Sequence, residues 1–330
     1  MTAIEDKEMY DSSKAPNLQR PSPTRHSKVF YHIISEGITE TGYLNGIVRN
    51  RLLAHDKFIK QISKSGIDKD ASDREVMIQI AHDYELYMTT GKNTPRRYVT
   101  AVLNQYLDGC KDEYAIVAGK DFNCFVMELC ELRDCIVSKY SSDPRYVSDG
   151  FVVPSSRFME AIGEECINTF HIPFSWSPED TLFTRDSCNG ANKICIMFDR
   201  DYHPELRTHE MYQRYLTLCK QYGYLPLVST PQFELWMLMH MYGVDYGKPS
   251  FDRYKPHLIR QLQQYDFYSR TAREKFMTRE RFDEYYRYNI QHAIESSESN
   301  LFSRDPEKLM DHPGTNLGVF FKDVLRGDLD

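Results

Sequence analysis

Two short apolar runs, far apart in the chain, constrain the fold more than any other feature of the sequence. The first, Val29–Ile34, is rich in aromatic and β-branched residues and stops at a Ser-Glu-Gly sequence that contains Glu36. The second, Lys193–Phe198, is almost continuously apolar and stops at Asp199 and Asp201. Runs of this length and composition are typical of strands that are buried in a parallel sheet. The sequence therefore predicts an α/β fold in which two strands end at acidic residues.

Helical patterns follow both predicted strands. A helix is expected after the first strand, with Thr39 as its N-cap and Glu40 in its first turn. After the second strand the pattern predicts a helix over about 210–222, a strand over 225–228 and a further helix that Thr230-Pro231 opens. Strands that alternate with helices in this way predict a parallel sheet flanked by helices.

The middle of the chain, residues 61–192, has helical periodicity that short polar segments interrupt. This pattern predicts a large, mainly helical insertion, with one strand near residues 167–174. The sheet would then be assembled from residues 28–60 and 193–330, the latter including the C-terminal helices. Residues 1–27 are rich in Ser, Pro, Lys and Asp and show no periodicity, so we expect them to form a flexible N-terminal arm.

The net charge and the polar N-terminus limit the classes of protein to which the chain can belong. A net charge of −7 argues against a protein that coats nucleic acid nonspecifically, because such binding depends on neutralising phosphates. It does not exclude a nuclease, since a local basic groove and bound divalent cations supply positive charge. The N-terminal sequence lacks the apolar centre of a signal peptide, and no apolar run approaches the ~20 residues that cross a bilayer. We therefore expect a soluble, cytoplasmic protein with no membrane association.

The cysteines do not form the paired patterns of zinc or redox sites. All eight are scattered along the chain, at positions 110, 124, 130, 135, 166, 188, 195 and 219, without a CxxC pair. The three at 124, 130 and 135 suggest either a metal cluster or core positions. Their helical, apolar surroundings favour the core, so we expect reduced and mostly buried thiols.

The acidic residues at the two strand ends are the strongest indication of chemistry. In open parallel sheets, binding sites lie beyond the carboxyl ends of the strands, where Glu36, Asp199 and Asp201 are expected. Aspartates two positions apart at a strand end project to the same side, and carboxylate oxygens are the ligands that Mg²⁺ prefers. An Asp-x-Asp alone is more often a solvated turn or a helix cap. Together with Glu36 at a second strand end, the pattern favours a metal site that hydrolyses phosphodiesters.

Four sequence blocks also carry a resemblance to a known family. In order, they are IISEGITETGYL, CIMFDRDYH, STPQFELWMLMHM and HPGTNLGVFFKDVL. The blocks resemble the RloB-like branch of the Toprim superfamily, although they cover well under half of the chain. The helical insertion between the first two blocks is far longer than in compact members of the family, which leaves substrate choice open. An added helical domain could bind nucleic acid, a partner protein or a second copy of the chain.

The resemblance implies a function and a set of site residues. Toprim proteins use a strand-end Glu and a following Asp-x-Asp to bind Mg²⁺ and to cut or rejoin nucleic-acid backbones, which implies catalytic and metal-binding roles for Glu36, Asp199 and Asp201. RloB-like proteins are associated with restriction loci and antiphage defence, often beside an ATPase. The resemblance therefore implies a nuclease that acts in antiviral defence, with Mg²⁺ as its cofactor and Mn²⁺ as a substitute. By the same analogy RNA, including transfer RNA, is favoured over DNA.

Four further residues are candidates for the border of the site or for the core. Glu40 either joins the acidic centre or simply favours the helix dipole. Glu234 is surrounded in sequence by apolar residues, where a carboxylate is costly unless it is paired or near a metal. Thr315 is expected to cap the last helix, although a helix start can also receive a phosphate. His240 is expected to be a hydrogen-bonded core histidine.

Our hypothesis is that Asp199 and Asp201 bind Mg²⁺, while Glu36 is a further ligand or the general base. Two other function classes stay open at this point. The chain could be a non-cleaving regulatory or assembly subunit of an ATPase-containing defence complex, or a nucleotidyl-transfer enzyme with the same metal geometry. Nucleic acid and an ATPase are the expected partners, and the chain could also associate with copies of itself.

Overall fold

A five-stranded sheet forms the centre of the computed structural model. The structure describes residues 28–62, 64, 74–104, 107, 122–153, 155–168, 190–200, 208–244, 246, 260 and 282–327. The strands of the sheet are β1 (Val29–Ser35), β2 (Lys57–Gln61), β5 (Ala191–Asp199), β6 (Leu225–Thr230) and β7 (Gly314–Thr315). Their order is β2-β1-β5-β6-β7, and all neighbours are parallel except β6 and β7, which are antiparallel. The prediction of an α/β fold with a mostly parallel sheet is confirmed.

The two predicted strands lie side by side at the centre of this sheet. Ser35 is in register with Met197, and Asp199 is in register with Ser229 on β6. Side chains alternate between the two faces, and both faces of β5 are buried from Ile194 to Phe198. The near-continuous apolar run is therefore explained by helices that cover the sheet on both sides.

One face of the sheet is covered by four helices and a turn of π-helix. The helices are α1 (Ile38–Arg49), α7 (Glu234–Leu238), α8 (Ile290–Ser297) and α9 (Leu317–Val324), and the turn is Phe282–Tyr286. Their core is strongly aromatic and centres on Tyr43, whose ring contacts six neighbouring rings: Phe233, Trp236, His240, Phe282, Tyr286 and Phe321. Burying a side chain of this size contributes about 2 kcal/mol.

The other face of the sheet packs against two helices, α2 (Arg74–Thr90) and α6 (Thr208–Tyr222). Met77, Ile80 and Ala81 of α2 join Tyr212 and Tyr215 of α6 in a core that lies on the second face of β1, β5 and β6. Helix α2 belongs to the segment predicted as an insertion, so part of that segment completes the layered sheet. The division of the chain into domains stays a prediction.

The rest of the described part of this segment has a core of its own. It contains α3 (helical over 95–104), α4 (Phe122–Tyr140), α5 (Ser155–Asn168) and a hairpin of β3 (Val147–Ser148) and β4 (Phe151–Val152). These elements bury a separate apolar cluster that includes Val102, Leu129 and Phe158. The strand predicted near residues 167–174 is wrong at its start, because Ile167 and Asn168 are the last residues of α5, and its remainder lies outside the described residues.

Two predicted helix starts are also wrong. Helix α1 begins at Ile38 with Gly37 as its N-cap, so Thr39 lies within the first turn. Helix α7 begins at Glu234, and Thr230 is the last residue of β6, where its hydroxyl donates to the Leu309 carbonyl at 2.8 Å. In both places the threonine that has the preferred capping chemistry is not the N-cap of the helix, which is Gly37 in α1 and Phe233 in α7.

The cysteine prediction holds for three of the described thiols. Cys166, Cys195 and Cys219 are buried, whereas Cys130 is partly exposed and Cys135 is exposed. Burial raises the pKa of the Cys166 thiol to about 11, as expected for an unreactive core cysteine. Across the ranges given above, no helix combines the length and apolarity that a membrane span requires. The predicted N-terminal arm, 1–27, lies outside the described residues.

Candidate acidic site at the carboxyl edge of the sheet

Glu36 and Asp199 meet at the carboxyl edge of the sheet. The main-chain N–H of Glu36 donates to the Met197 carbonyl at 3.0 Å, which extends the pairing of β1 with β5 by one residue. The Glu36 side chain then reaches across to the end of β5, where its Oε2 accepts the main-chain N–H of Asp199 at 3.1 Å. The structure thus brings together two of the three acids that the sequence singled out.

Asp201, the third predicted acid, lies outside the described residues. The strand β5 ends at Asp199, two positions earlier. Among the residues whose placement is described, no group of three or more His, Cys, Asp or Glu side chains is close enough to hold a metal ion. A complete three-acid site therefore stays a prediction that depends on Asp201.

Two basic side chains contact Glu36 from the segment that follows β2. The Nζ atom of Lys64 donates to the Glu36 main-chain carbonyl at 2.6 Å. The Nε atom of Arg74, at the start of α2, lies 3.4 Å from Glu36 Oε2, the oxygen that also accepts the Asp199 N–H. The side chains of Arg74 and Glu36 are 14% and 18% exposed, so this ion pair is only weakly screened by water.

Glu40 is a buried carboxyl next to this pair. Its residue is 5% exposed, and its pKa is raised from 4.5 to about 7, with burial as the largest cause. The charges of Glu234 and Glu36 contribute to this rise, while a main-chain hydrogen bond and the charge of Lys64 oppose it. Glu36 and Glu234, the first residue of α7, are therefore close enough to Glu40 for their charges to act on its carboxyl, and a role of Glu40 and Glu234 at the border of the site stays a prediction.

The Ser-Glu-Gly turn after β1 allows this close grouping. A Cβ atom at Gly37 would lie 2.5 Å from Glu40 Oε2, so the absence of a side chain at position 37 makes room for the buried carboxyl. The hydroxyls of Ser35 and Thr41 lie 2.8 Å apart, and the Thr41 hydroxyl donates to the Gly37 carbonyl at 3.0 Å. These contacts fix the turn from which Glu36 projects.

Thr315 is fully buried on the edge strand β7, next to β6 rather than next to Asp199. Its Oγ1 lies 3.0 Å from the Ser229 hydroxyl, donates to the Val228 carbonyl at 2.9 Å and accepts the Leu317 N–H at 3.2 Å. The prediction that Thr315 is the cap of the last helix is wrong, because Asn316 occupies the N-cap position of α9 and Thr315 belongs to β7, from where its hydroxyl accepts the N–H of the first helical residue.

His240 is a hydrogen-bonded core histidine, as predicted. Its Nε2 lies 3.0 Å from the Tyr43 hydroxyl and its Nδ1 lies 2.9 Å from the Trp236 carbonyl. Because the carbonyl can only accept, Nδ1 carries the proton and Nε2 accepts from Tyr43. Burial lowers the pKa of His240 to about 3, which keeps the ring neutral. His240 therefore belongs to the aromatic core and not to the acidic site.

Lys64 and Arg74 are site residues that the sequence alone did not indicate. They lie in and just beyond the polar stretch after β2, which shows no periodicity that relates them to a strand end. A basic residue at the N-terminal end of a helix is also unfavourable for the helix dipole, and this is the one local signal that points to a different role for Arg74.

Comparisons with known proteins agree with the resemblance carried by the four sequence blocks. A family model described as RloB-like protein matches residues 31–323, which span both strand-end acids and the helical segment between them. No curated protein and no solved structure gives a significant match to the chain.

Proposed function

The chain belongs to the RloB-like family, and from this premise and its acidic site we propose that it is a metal-dependent nuclease of Toprim type that hydrolyses phosphodiester bonds in nucleic acid. The observation that carries the proposal is the hydrogen bond between the Glu36 carboxylate and the Asp199 N–H, which joins acidic ends of two parallel strands that are 163 residues apart. Parallel sheets place their ligands at this edge.

The donor atoms at this edge fit a hard divalent cation. Glu36, Asp199 and Asp201 would hold Mg²⁺, or Mn²⁺ in its place, because all three offer carboxylate oxygens. When bound, the ion would supply charge neutralisation at the phosphoryl oxygen and a lowered pKa for an attacking water. Glu40 and Glu234 add negative charge close by, which favours a cation over an anion at this position.

Glu36 is held in a defined orientation through one oxygen. The Asp199 N–H and the Arg74 side chain both contact Oε2, so rotation of the carboxylate is restricted. A carboxylate fixed in this way serves either as a ligand or as the base that accepts a proton from water. The Asp199 contact runs through the main chain, so it persists when the Asp199 side chain is replaced.

We extend the proposal to substrate and context by family analogy. RNA, including transfer RNA, is the first substrate to test, and antiphage defence beside an ATPase partner is the proposed setting. Both follow from membership of the family and not from a contact in the site. They are consequently tested separately from the hydrolytic activity.

The decisive experiment incubates the purified chain with labelled RNA or DNA and nucleoside triphosphates, with Mg²⁺, Mn²⁺ or chelator. We expect shortened products that require the metal and that are lost in Glu36→Gln and Asp199→Asn, while an exposed control, Glu210→Gln, cuts normally. Undiminished cutting by both site variants would show that the acidic centre takes no part in the reaction. Extended products would indicate nucleotidyl transfer, and no reaction together with a stable ATPase complex would indicate a regulatory subunit.

A further inference from the structure

Arg74 combines an ionic contact in the acidic site with an aromatic support. Its Nε lies 3.4 Å from Glu36 Oε2, and its guanidinium carbon lies 5.7 Å from the centre of the Phe198 ring and 5.8 Å from that of Tyr215. Phe198 immediately precedes Asp199, so the guanidinium is held beside both strand ends. Cation–π contacts with two rings restrict the position of the guanidinium, whose N–H donors form a planar fork.

A phosphodiester that approaches this edge meets a concentration of negative charge. Glu36, Asp199, Glu40 and Glu234 all lie at or next to it, and the described cations that contact Glu36 are Lys64 and Arg74. Lys64 donates to a main-chain carbonyl, whereas the fork of Arg74 matches the geometry of a phosphate. A guanidinium held beside Glu36, with 14% of its side chain exposed, therefore opposes the repulsion between the carboxylates and the substrate.

We propose that Arg74 is a substrate-binding residue that contacts a backbone phosphate of the nucleic acid next to Glu36. The proposal rests on the proposed function and deepens it, because it names the group of the substrate that is recognised. A phosphate contact carries no sequence information, so the loss of Arg74 weakens binding to all sequences alike and reduces its dependence on salt.

The chain provides a matched control in a second Arg–Glu pair close to the first. Glu75, the next residue, pairs with Arg214 of α6, with Arg214 Nε 2.7 Å from Glu75 Oε1. The Arg214 side chain is 66% exposed, so this is a surface Arg–Glu pair of the same chemical type as Arg74–Glu36. Arg214→Gln removes one positive charge, as Arg74→Gln does, but leaves the acidic site unchanged.

The test measures, by fluorescence anisotropy, the binding of two single-stranded RNA oligonucleotides of different sequence. Binding is measured in Ca²⁺ over a series of salt concentrations, and gels check that the RNA stays intact. We expect Arg74→Gln to bind both about tenfold more weakly, with a salt slope that is shallower by about 0.7. Arg74→Lys keeps the charge but loses the fork, so an intermediate affinity is expected. Arg214→Gln should match the wild type.

Mn²⁺ titration of the same variants without nucleic acid separates binding of the phosphate from support of Glu36. Arg74→Gln should retain Mn²⁺ binding, because it leaves the carboxylates in place. Two results would overturn the inference. One is equal RNA affinity of Arg74→Gln and wild type. The other is that Arg74→Gln loses both Mn²⁺ and RNA binding while Arg74→Lys keeps both. Cleavage by the wild type would leave the proposed function standing in either case. Conversely, a wild type that binds RNA through Arg74 without cutting it would overturn the proposed function alone.

Discussion

The charge of Glu234, at the start of α7, acts on the buried carboxyl of Glu40 in the first turn of α1 and raises its pKa. Burial is the larger cause, and together with the charge of Glu36 these effects bring the pKa from 4.5 to about 7. Near neutral pH, Glu40 is therefore partly protonated. The acidic group at the sheet edge carries less negative charge at neutral pH than its number of carboxyls suggests.

This raised pKa predicts a pH-dependent stability that Glu40→Gln removes. Between pH 4.5 and about 7 the folded state binds a proton that the unfolded state releases, so the free energy of unfolding falls as the pH rises. Glutamine is neutral throughout, so from pH 4.5 to about 8 the variant should gain about 3 kcal/mol relative to the wild type. Urea denaturation at several pH values measures the difference. Identical pH profiles would contradict the raised pKa, and exposed Glu210→Gln should follow the wild type.

Gly37→Ala tests whether the position of the Glu40 carboxyl matters for the reaction. The backbone of Gly37 has a φ of −119°, which alanine adopts without strain, but the new Cβ would lie 2.5 Å from Glu40 Oε2. We expect a loss of stability of about 1 kcal/mol or less, because a side-chain end can move, but cleavage slowed by roughly 10- to 100-fold. Initial rates on labelled RNA measure the effect, with Gly327→Ala, where the added Cβ meets no atom within 4 Å, as the control. Unchanged cleavage would show that this packing is unimportant.

The strands and their acidic ends could be predicted from the sequence because buried parallel strands impose a long apolar run. The run before Asp199 and the one before Glu36 are both explained by a sheet covered on two faces. Parallel strands end at one edge of a sheet, so the fold class predicts both acids at that edge, whereas the direct pairing of β1 with β5 that brings them into contact is a finding of the structure.

The helix starts and the basic residues could not be predicted in the same way. Thr39 has the preferred chemistry of an N-cap, yet Gly37 is the N-cap, at a position where a Cβ atom would lie 2.5 Å from Glu40 Oε2. Arg74 reaches Glu36 only because α2 packs on the sheet, and this is a tertiary contact across 38 residues. The unfavourable position of a basic residue at a helix start indicates a different role for Arg74, but it does not identify Glu36 as the partner.

Tyr43→Phe tests the hydrogen bond at the centre of the aromatic core. The variant keeps the ring and its packing but leaves His240 Nε2 without its partner at a position with no solvent access. An unpaired buried acceptor costs about 1–3 kcal/mol, so the free energy of unfolding should fall by that amount. Urea denaturation at neutral pH provides the measurement. Tyr288→Phe, at a residue 71% exposed, should change the stability by less than about 0.5 kcal/mol. Equal stability of Tyr43→Phe and wild type would show that this hydrogen bond does not stabilise the core.

Thr315→Val separates a structural role of Thr315 from a role in binding phosphate. Valine has the same shape but cannot pair with Ser229, the Val228 carbonyl or the Leu317 N–H, so we expect a loss of about 1–3 kcal/mol in stability. Thr315→Ser keeps the hydroxyl and should lose only about 1 kcal/mol, for the missing methyl group. The Leu317 N–H at this helix start is already satisfied by Thr315, so we expect Thr315 to stabilise the fold and not to bind phosphate. Cleavage by folded Thr315→Val, measured well below its melting temperature, should therefore equal that of the wild type. A strong loss of cleavage by the folded variant would instead assign Thr315 to the site.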